Sequence, residues 1–353
     1  MKKVDYIIVG QGLAGTILTQ TLFKKGCSVL VIDDAALSSA SKVAAGLYNP
    51  IVFKRLVKSW LADDLLPYMD SFYPEMEKLL ETKFYNHKRI FKPFSEEQEK
   101  TRWIKKTEEP IGQYMSKIIY REDLNGIVFN TLGISEVLHA GNLDTNIFLN
   151  AFRAFLNNNN LLIEEKFDQE KLLIHSNLVS YRDYSATKII FCEGYKSLEN
   201  PFFKWLPFKL TKGETLIIKL SGGHVIPTEI VINKAVFILP LGNNTYKVGA
   251  TYEWEDLSEN PTDKGKSELT EKLTKVLKVP FEIIDHQAGV RPTVTDRRPI
   301  IGLHPVHPEL AIFNGLGTKG VMLAPYFANQ FADFLLCGAP FNNEVNIDRF
   351  KSA

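Results

Sequence analysis

The sequence predicts a two-domain α/β chain in which an antiparallel β-rich domain is inserted into a domain built on a parallel sheet. Three observations carry this. A largely apolar strand, a glycine-rich turn and an amphipathic helix follow one another at the N-terminus; alternating strand and helix patterning returns near residues 140 and 285; and two stretches between them read as short β segments. The expected boundaries are 1–82, 140–205 and 285–353 for the first domain, with 83–139 and 206–284 joining into the second.

Composition narrows the partners. Among 353 residues, 42 basic side chains meet 41 acidic ones for a net charge of +1, so no field gathers nucleic acid or anionic lipid. A small-molecule partner is expected instead. Cys27, Cys192 and Cys337 lie far apart in apolar surroundings without a CxxC pair, and are expected as small core residues in a reducing compartment, the cytoplasm. The apolar run of MKKVDYIIVG is too short for a signal peptide, and no run reaches membrane-spanning length. His304 and His307 are separated by Pro305 and followed by Pro308, which keeps them off one helical face, so no metal site is expected.

Val4 to Val9 is apolar apart from Asp5 and reads as a strand buried on both faces. GQGLAG follows. Gly10, Gly12 and Gly15 have the GxGxxG spacing of a Rossmann-like dinucleotide turn: the first permits the turn, the second lets a pyrophosphate approach, the third lets the helix pack on the sheet. Ala14, Ile17, Leu18, Thr21 and Leu22 then recur along one helical face, and Gly26 ends the helix. Cys27 to Ile32 is a second strand, closing on Asp33, whose carboxylate suits ribose hydroxyls and repels a 2′-phosphate. NAD or FAD is favoured over NADP.

A nicotinamide domain would continue in regular alternation, whereas Asp33 leads into the small-residue stretch DAALSSASKVAAGLYNP. Something is expected to pass close to Ala44, Ala45 and Gly46, and an extended cofactor is the preferred account. Helical spacing runs over 60–82. FYNHKRIFKPF and KIIYRED read as strand fragments, and Leu143-Asp144-Thr145 leads into a helix ended by Asn157 to Asn160. LLIEEKF and KIIFC read as further strands, as do KGETLIIKL, AVFILPL and TYKVGATYEW, followed by a lysine-rich helix at about 265–278.

Near the C-terminus stand HQAGVRPTVTDRRPIIG, from His286 to Gly302, and FNGLGTKGVMLAPYFANQFADFL, from Phe313 to Leu335. With these the chain resembles the D-amino-acid oxidase and glycine oxidase superfamily of FAD enzymes, whose members carry an N-terminal GxGxxG, a GxRP segment followed by DxxPxxG, and a C-terminal glycine loop opening a helix with an internal Ala-Pro. The resemblance implies FAD as cofactor. It implies contacts from Gly10, Gly12, Leu13, Ala14 and Gly15 at the turn, Asp33 and Asp34 at the second strand's end, and Ser41, Ala45, Gly46 and Leu47 beyond it. Phe167, Gly194 and Gly289 are expected to join them, with Gly317, Thr318, Lys319, Gly320 and Val321 beside the flavin's pyrimidine edge. A helix starting near Gly320 aims its positive end at an anion there, and Pro325 is expected near its first turn.

In the family the arginine of the GxRP segment binds the substrate carboxylate, which assigns Arg291 that role; a buried ion pair with Asp296 is the structural alternative. Lys319 adds a positive charge in the second motif. The expected activity is that of an FAD-dependent oxidoreductase, oxidase or dehydrogenase, oxidising the C–N bond of a glycine-, D-amino-acid- or sarcosine-like amine by hydride transfer to flavin N5. GLGTKG also resembles the oxidase half of the bifunctional tRNA wobble-uridine enzyme, which removes a carboxymethyl group from an amine, and a non-catalytic flavin-binding module is the third alternative. The basic, aromatic-interleaved stretch Thr101 to Lys106 reads as a solvated face rather than an RNA surface.

Overall fold

Tyr6 to Val9 are all buried, and this apolar run forms the end of the first strand, Lys2–Val9, in the computed structural model, which describes residues 1–35 and 40–351. The expected small-residue stretch therefore lies partly, at 36–39, outside the described residues. Lys2–Val9 pairs in parallel with Val29–Ile32 on one side and Tyr184–Phe191 on the other; Leu162–Ile163 and Leu310–Asn314 extend the parallel set outward. Antiparallel strands Leu172–His175, Leu178–Tyr181 and Ile300–Leu303 complete an eight-stranded sheet. One face packs Leu13, Ile17 and Leu18 of the helix Leu13–Lys24 with Ala324, Ala328 and Phe331 of the helix Gly320–Cys337. The other face buries Ile7, Leu30 and Ile32 with Val179, Tyr181 and Phe203.

The second sheet has seven strands in the order Phe281–Arg291, Thr211–Leu220, Thr245–Gly249, Phe237–Gly242, Ile230–Asn233, Arg89–Pro93 and Ile134–Val137. Its interleaving of chain segments brings 83–139 and 206–284 together. The boundary expected at 285 falls inside the strand Phe281–Arg291, because this strand pairs along its whole length with Thr211–Leu220, from Leu220 opposite Phe281 to Thr211 opposite Arg291. Arg291 therefore closes the second sheet rather than opening the last part of the first. The 83–139 segment is less β-rich than its short apolar runs imply: the helix Glu97–Thr107 carries the basic stretch, buries Trp103, whose Nε1 donates to the Ser116 carbonyl at 3.0 Å, and leaves Arg102 and Lys105 exposed. Of KIIYRED, only Ile119 makes an isolated bridge, to Ile134.

Three local expectations change. LLIEEKF pairs only at Leu162–Ile163, and Phe167 turns into the core, stacked on Tyr181 at 4.8 Å with Phe191 at 5.6 Å. Pro325 lies in the second turn of its helix, so the Val321 carbonyl has no amide four residues on; the Tyr73 hydroxyl donates to that carbonyl instead, at 2.8 Å. Cys27 and Cys192 are buried, but Cys337 is exposed at the last turn of the C-terminal helix, where the apolar face of FADFLLC is used by its neighbours. Among the described residues no helix is long and apolar enough to cross a membrane.

Candidate cofactor and substrate site

Parallel strands align their carboxyl ends, and a ligand-binding crevice forms beyond those ends where the connections diverge. Here the turn at Gly10, Asp33, Gly194 and the loop Gly315 to Gly320 follow the ends of Lys2–Val9, Val29–Ile32, Tyr184–Phe191 and Leu310–Asn314. Four separate sequence segments therefore converge on one edge of the first sheet.

The three glycines of GQGLAG have different reasons to be glycine. Gly10 takes φ +100° and a Cβ there would sit 2.7 Å from the Cys192 carbonyl oxygen. A Cβ on Gly15 would lie 1.8 Å from the Gly10 oxygen, so it is the chain's own backbone that excludes a side chain. At Gly12 the Ser41 Oγ, at 3.5 Å, is the only atom of the described residues within reach of an added Cβ, so among these residues the space over Gly12 is open for a ligand. The helix that starts there has no side-chain cap and no acidic residue in its first turn; Ser41 Oγ accepts the Leu13 N–H at 3.1 Å, and Ala14 occupies the same turn. A pyrophosphate fits this open, positive helix end. Asp33 accepts the Gln11 N–H at 2.8 Å through one oxygen and pairs with Arg153 through the other, while Asp34, partly buried, follows it at the rim.

The small-residue stretch has a different explanation from the expected one. Gly46, at φ +62°, would place a Cβ 1.8 Å from the Leu143 carbonyl oxygen, and the amide of Leu143 donates to the Gly46 carbonyl at 3.0 Å. The strand Gly141–Leu143, paired with Leu47–Tyr48, is what passes close to this backbone. Ala45 and Leu47 flank that crossing and pack against the first core. Gly289 likewise faces protein: a Cβ there would meet Val43 at 3.2 Å. Among the described residues Gly194, at φ +59°, has nothing within 4 Å of such a Cβ, and Gly317, at φ +54°, only Thr293 at 3.7 Å.

The helix Gly320–Cys337 also starts without a side-chain cap or an acidic first-turn residue, with Thr318 exposed before it and Val321 in its first turn. Gly320 lies against Leu13, with 3.0 Å from its would-be Cβ to Leu13 Cδ2, so the positive ends of the two helices meet. Lys319 stands at this junction. Its ammonium donates to the Ser59 hydroxyl, and burial pulls its pKa down to about 8. An unfolded lysine titrates near 10.4, so between about pH 8 and 10 the unfolded chain holds the extra proton and stability rises with pH. Lys319→Met is therefore expected to be more stable than the parent below pH 8, with the difference shrinking towards pH 10 in denaturant titrations; a pH-independent difference contradicts the burial.

Arg291 ends the strand Phe281–Arg291 with its guanidinium laid against Gly213, where a Cβ would come within 1.9 Å of Nη2. The Tyr252 ring lies 4.9 Å from the guanidinium carbon. Only long contacts reach its Nη1, from the carbonyls of Lys212 at 3.5 Å and Thr251 at 3.4 Å. Burial holds its pKa below the ordinary arginine range, and among the described residues no carboxylate pairs with it. The alternative pairing with Asp296 is overturned, since Asp296 binds Arg349 at 2.8 Å while Arg298 binds Glu344 at 3.1 Å. Gly213, Tyr252, Arg153 and Ser59 escaped the sequence reading; only their neighbours in space mark them.

The profile of the family described as FAD dependent oxidoreductase matches residues 5–334. A glycine oxidase of Bacillus licheniformis is 31% identical over 147 residues, covering 41% of this chain and 39% of that protein. The tRNA 5-methylaminomethyl-2-thiouridine biosynthesis bifunctional protein of Marinobacter nauticus is 24% identical over 174 residues, 45% of this chain and 27% of its own length. The alignment thus spans less than half of either relative. In fold, the crystal structure of glycine oxidase from Geobacillus kaustophilus superposes with a TM-score of 0.81 over 100% of both chains at 17% identity.

Proposed function

Because the chain belongs to the FAD-dependent oxidoreductase family, we propose that it oxidises the C–N bond of a small amine bearing a carboxylate, a glycine-like amino acid. FAD, when bound, supplies the two-electron acceptor. Open space over Gly12, Asp33 at the strand end and the paired helix ends at Leu13 and Gly320 fit that cofactor. In the substrate the Cα–H bond breaks, a C=N bond forms, the nitrogen gives its proton to solvent, and water then hydrolyses the imine to an oxo acid and an amine. Such chemistry needs no side-chain nucleophile.

The single observation that carries the reading is Arg291. A guanidinium between Gly213 and Tyr252, with no carboxylate partner among the described residues, keeps its donor edge for an anion and suits the two parallel hydrogen bonds of a bound carboxylate. The glycine oxidase relative supports the substrate class. A second reading, a carboxymethylaminomethyl base in tRNA, draws on Tyr252 and Trp254, 55% and 54% exposed, whose rings stack 6.3 Å apart beside Arg291 and offer a base a surface. Anaerobic mixing of the yellow protein separates these. Bleaching of the visible flavin bands by glycine or sarcosine supports the first reading, bleaching only by the modified nucleoside the second, and bleaching by neither a non-catalytic module. A colourless protein that does not take up added FAD overturns all three.

A further inference from the structure

Asp33 is held from two sides before any ligand arrives. One oxygen accepts the Gln11 N–H at 2.8 Å, from the turn that follows the first strand. The other is paired with Nη2 of Arg153, on the helix Thr145–Asn158, whose Nη1 reaches Oε1 of Glu164 at 2.8 Å. The Arg153 side chain is only 16% exposed and that of Asp33 22%, so this pair is shielded, whereas Glu164 at 53% is a solvent-facing partner. A carboxylate has about four lone-pair positions; two donors from different elements leave the others in a fixed direction.

We infer that Arg153 is a positioning residue for the adenosine half of FAD: it locks the rotamer of Asp33 so that the carboxylate's remaining lone pairs meet the ribose hydroxyls. Asp33 follows the last residue of a four-residue strand; its amide donates to the Ile163 carbonyl at 3.1 Å, which fixes the backbone, while the side chain is oriented by the Gln11 amide and by Arg153. Glu164 holds the far side of the guanidinium and keeps it from swinging into solvent. Arg153 is reached from Asp33 only across 120 residues of sequence, which is why no local motif marks it.

FMN shares with FAD the ring, the ribityl chain and the first phosphate but lacks the second phosphate, the ribose and the adenine, so it reports on the flavin half of the site without the Asp33 contact. The test titrates the full-length chain, freed of flavin, with FAD and with FMN by fluorescence, for the parent, Arg153→Ala, Asp33→Asn and the double variant, with circular dichroism as the folding check. The expected result is a FAD affinity about tenfold or more weaker in Arg153→Ala, an FMN affinity within about twofold of the parent, and no further loss when Arg153→Ala is added to Asp33→Asn. Equal losses for FAD and FMN, or additive losses in the double variant, overturn the inference in favour of general packing. Should Arg153→Ala fail to fold, Arg153→Lys and Arg153→Gln enter the same cycle, with the neutral glutamine expected to lose more FAD affinity than the lysine; equal affinities for both and the parent also overturn it.

Discussion

Arg291→Ala is expected to raise the KM for a carboxylate-bearing amine by about two to three orders of magnitude while FAD content stays at the parent level. Two charge-assisted hydrogen bonds contribute about 3–6 kcal/mol together, at about 1.5–3 each; with 1.4 kcal/mol per tenfold, the lower part of that range, about 3–4 kcal/mol, gives two to three orders. The site leaves no substitute, because the nearest groups are the Lys212 and Thr251 carbonyls, which repel an anion, and the Tyr252 ring. Gly213→Ala is the companion variant. Its methyl group would occupy the place of the guanidinium, 1.9 Å from Nη2, and a flexible arginine yields by leaving its seat, so the fold survives and the anion site does not. Steady-state kinetics with glycine and sarcosine, beside visible absorbance for FAD content, check both; an unchanged KM in Arg291→Ala with full FAD removes the clamp from the reading.

The second large effect separates two glycines three residues apart. Gly15→Ala forces a methyl group to 1.8 Å from the Gly10 oxygen, and since that oxygen is backbone and the methyl is fixed directly on the Cα, the helix Leu13–Lys24 must shift off the sheet. Overpacking of this kind costs about 1–3 kcal/mol or more, so the melting temperature should fall even in protein without flavin. Gly12→Ala should leave the flavin-free protein as stable as the parent, because among the described residues its methyl group meets only Ser41 at 3.5 Å, yet it fills the space a pyrophosphate needs. Thermal melts with and without FAD decide the matter: a flavin-free Gly12→Ala that melts far below the parent, or one that binds FAD normally, contradicts the assignment of that space.

The same contrast explains what could be read along the chain. GQGLAG was legible because its strand, turn and helix are contiguous, so the conformational demands on each glycine are set by neighbours a few residues away. The small-residue stretch shows the opposite case. Its Gly46 signalled a close approach correctly, but the approaching group is the Leu143 backbone, a partner nearly a hundred residues distant that no local pattern names. Pro325 was expected near the first turn, where no amide is missed, but it lies in the second, and the hydroxyl of Tyr73 that completes the broken hydrogen-bond ladder comes from another helix.

By itself the sequence determined the parallel-sheet turn, the acidic residue at the second strand's end, the family resemblance and the arginine of the GVRP segment. Each is a short run whose meaning survives without knowing the fold. Tertiary structure decided that Arg291 lies between Gly213 and Tyr252 without an acidic partner, that Asp296 is taken by Arg349, and that Asp33 is held by Arg153. Those outcomes depend on strand register and helix packing between segments roughly 40 to 120 residues apart, and a charge acquires a function only when the groups around it are known.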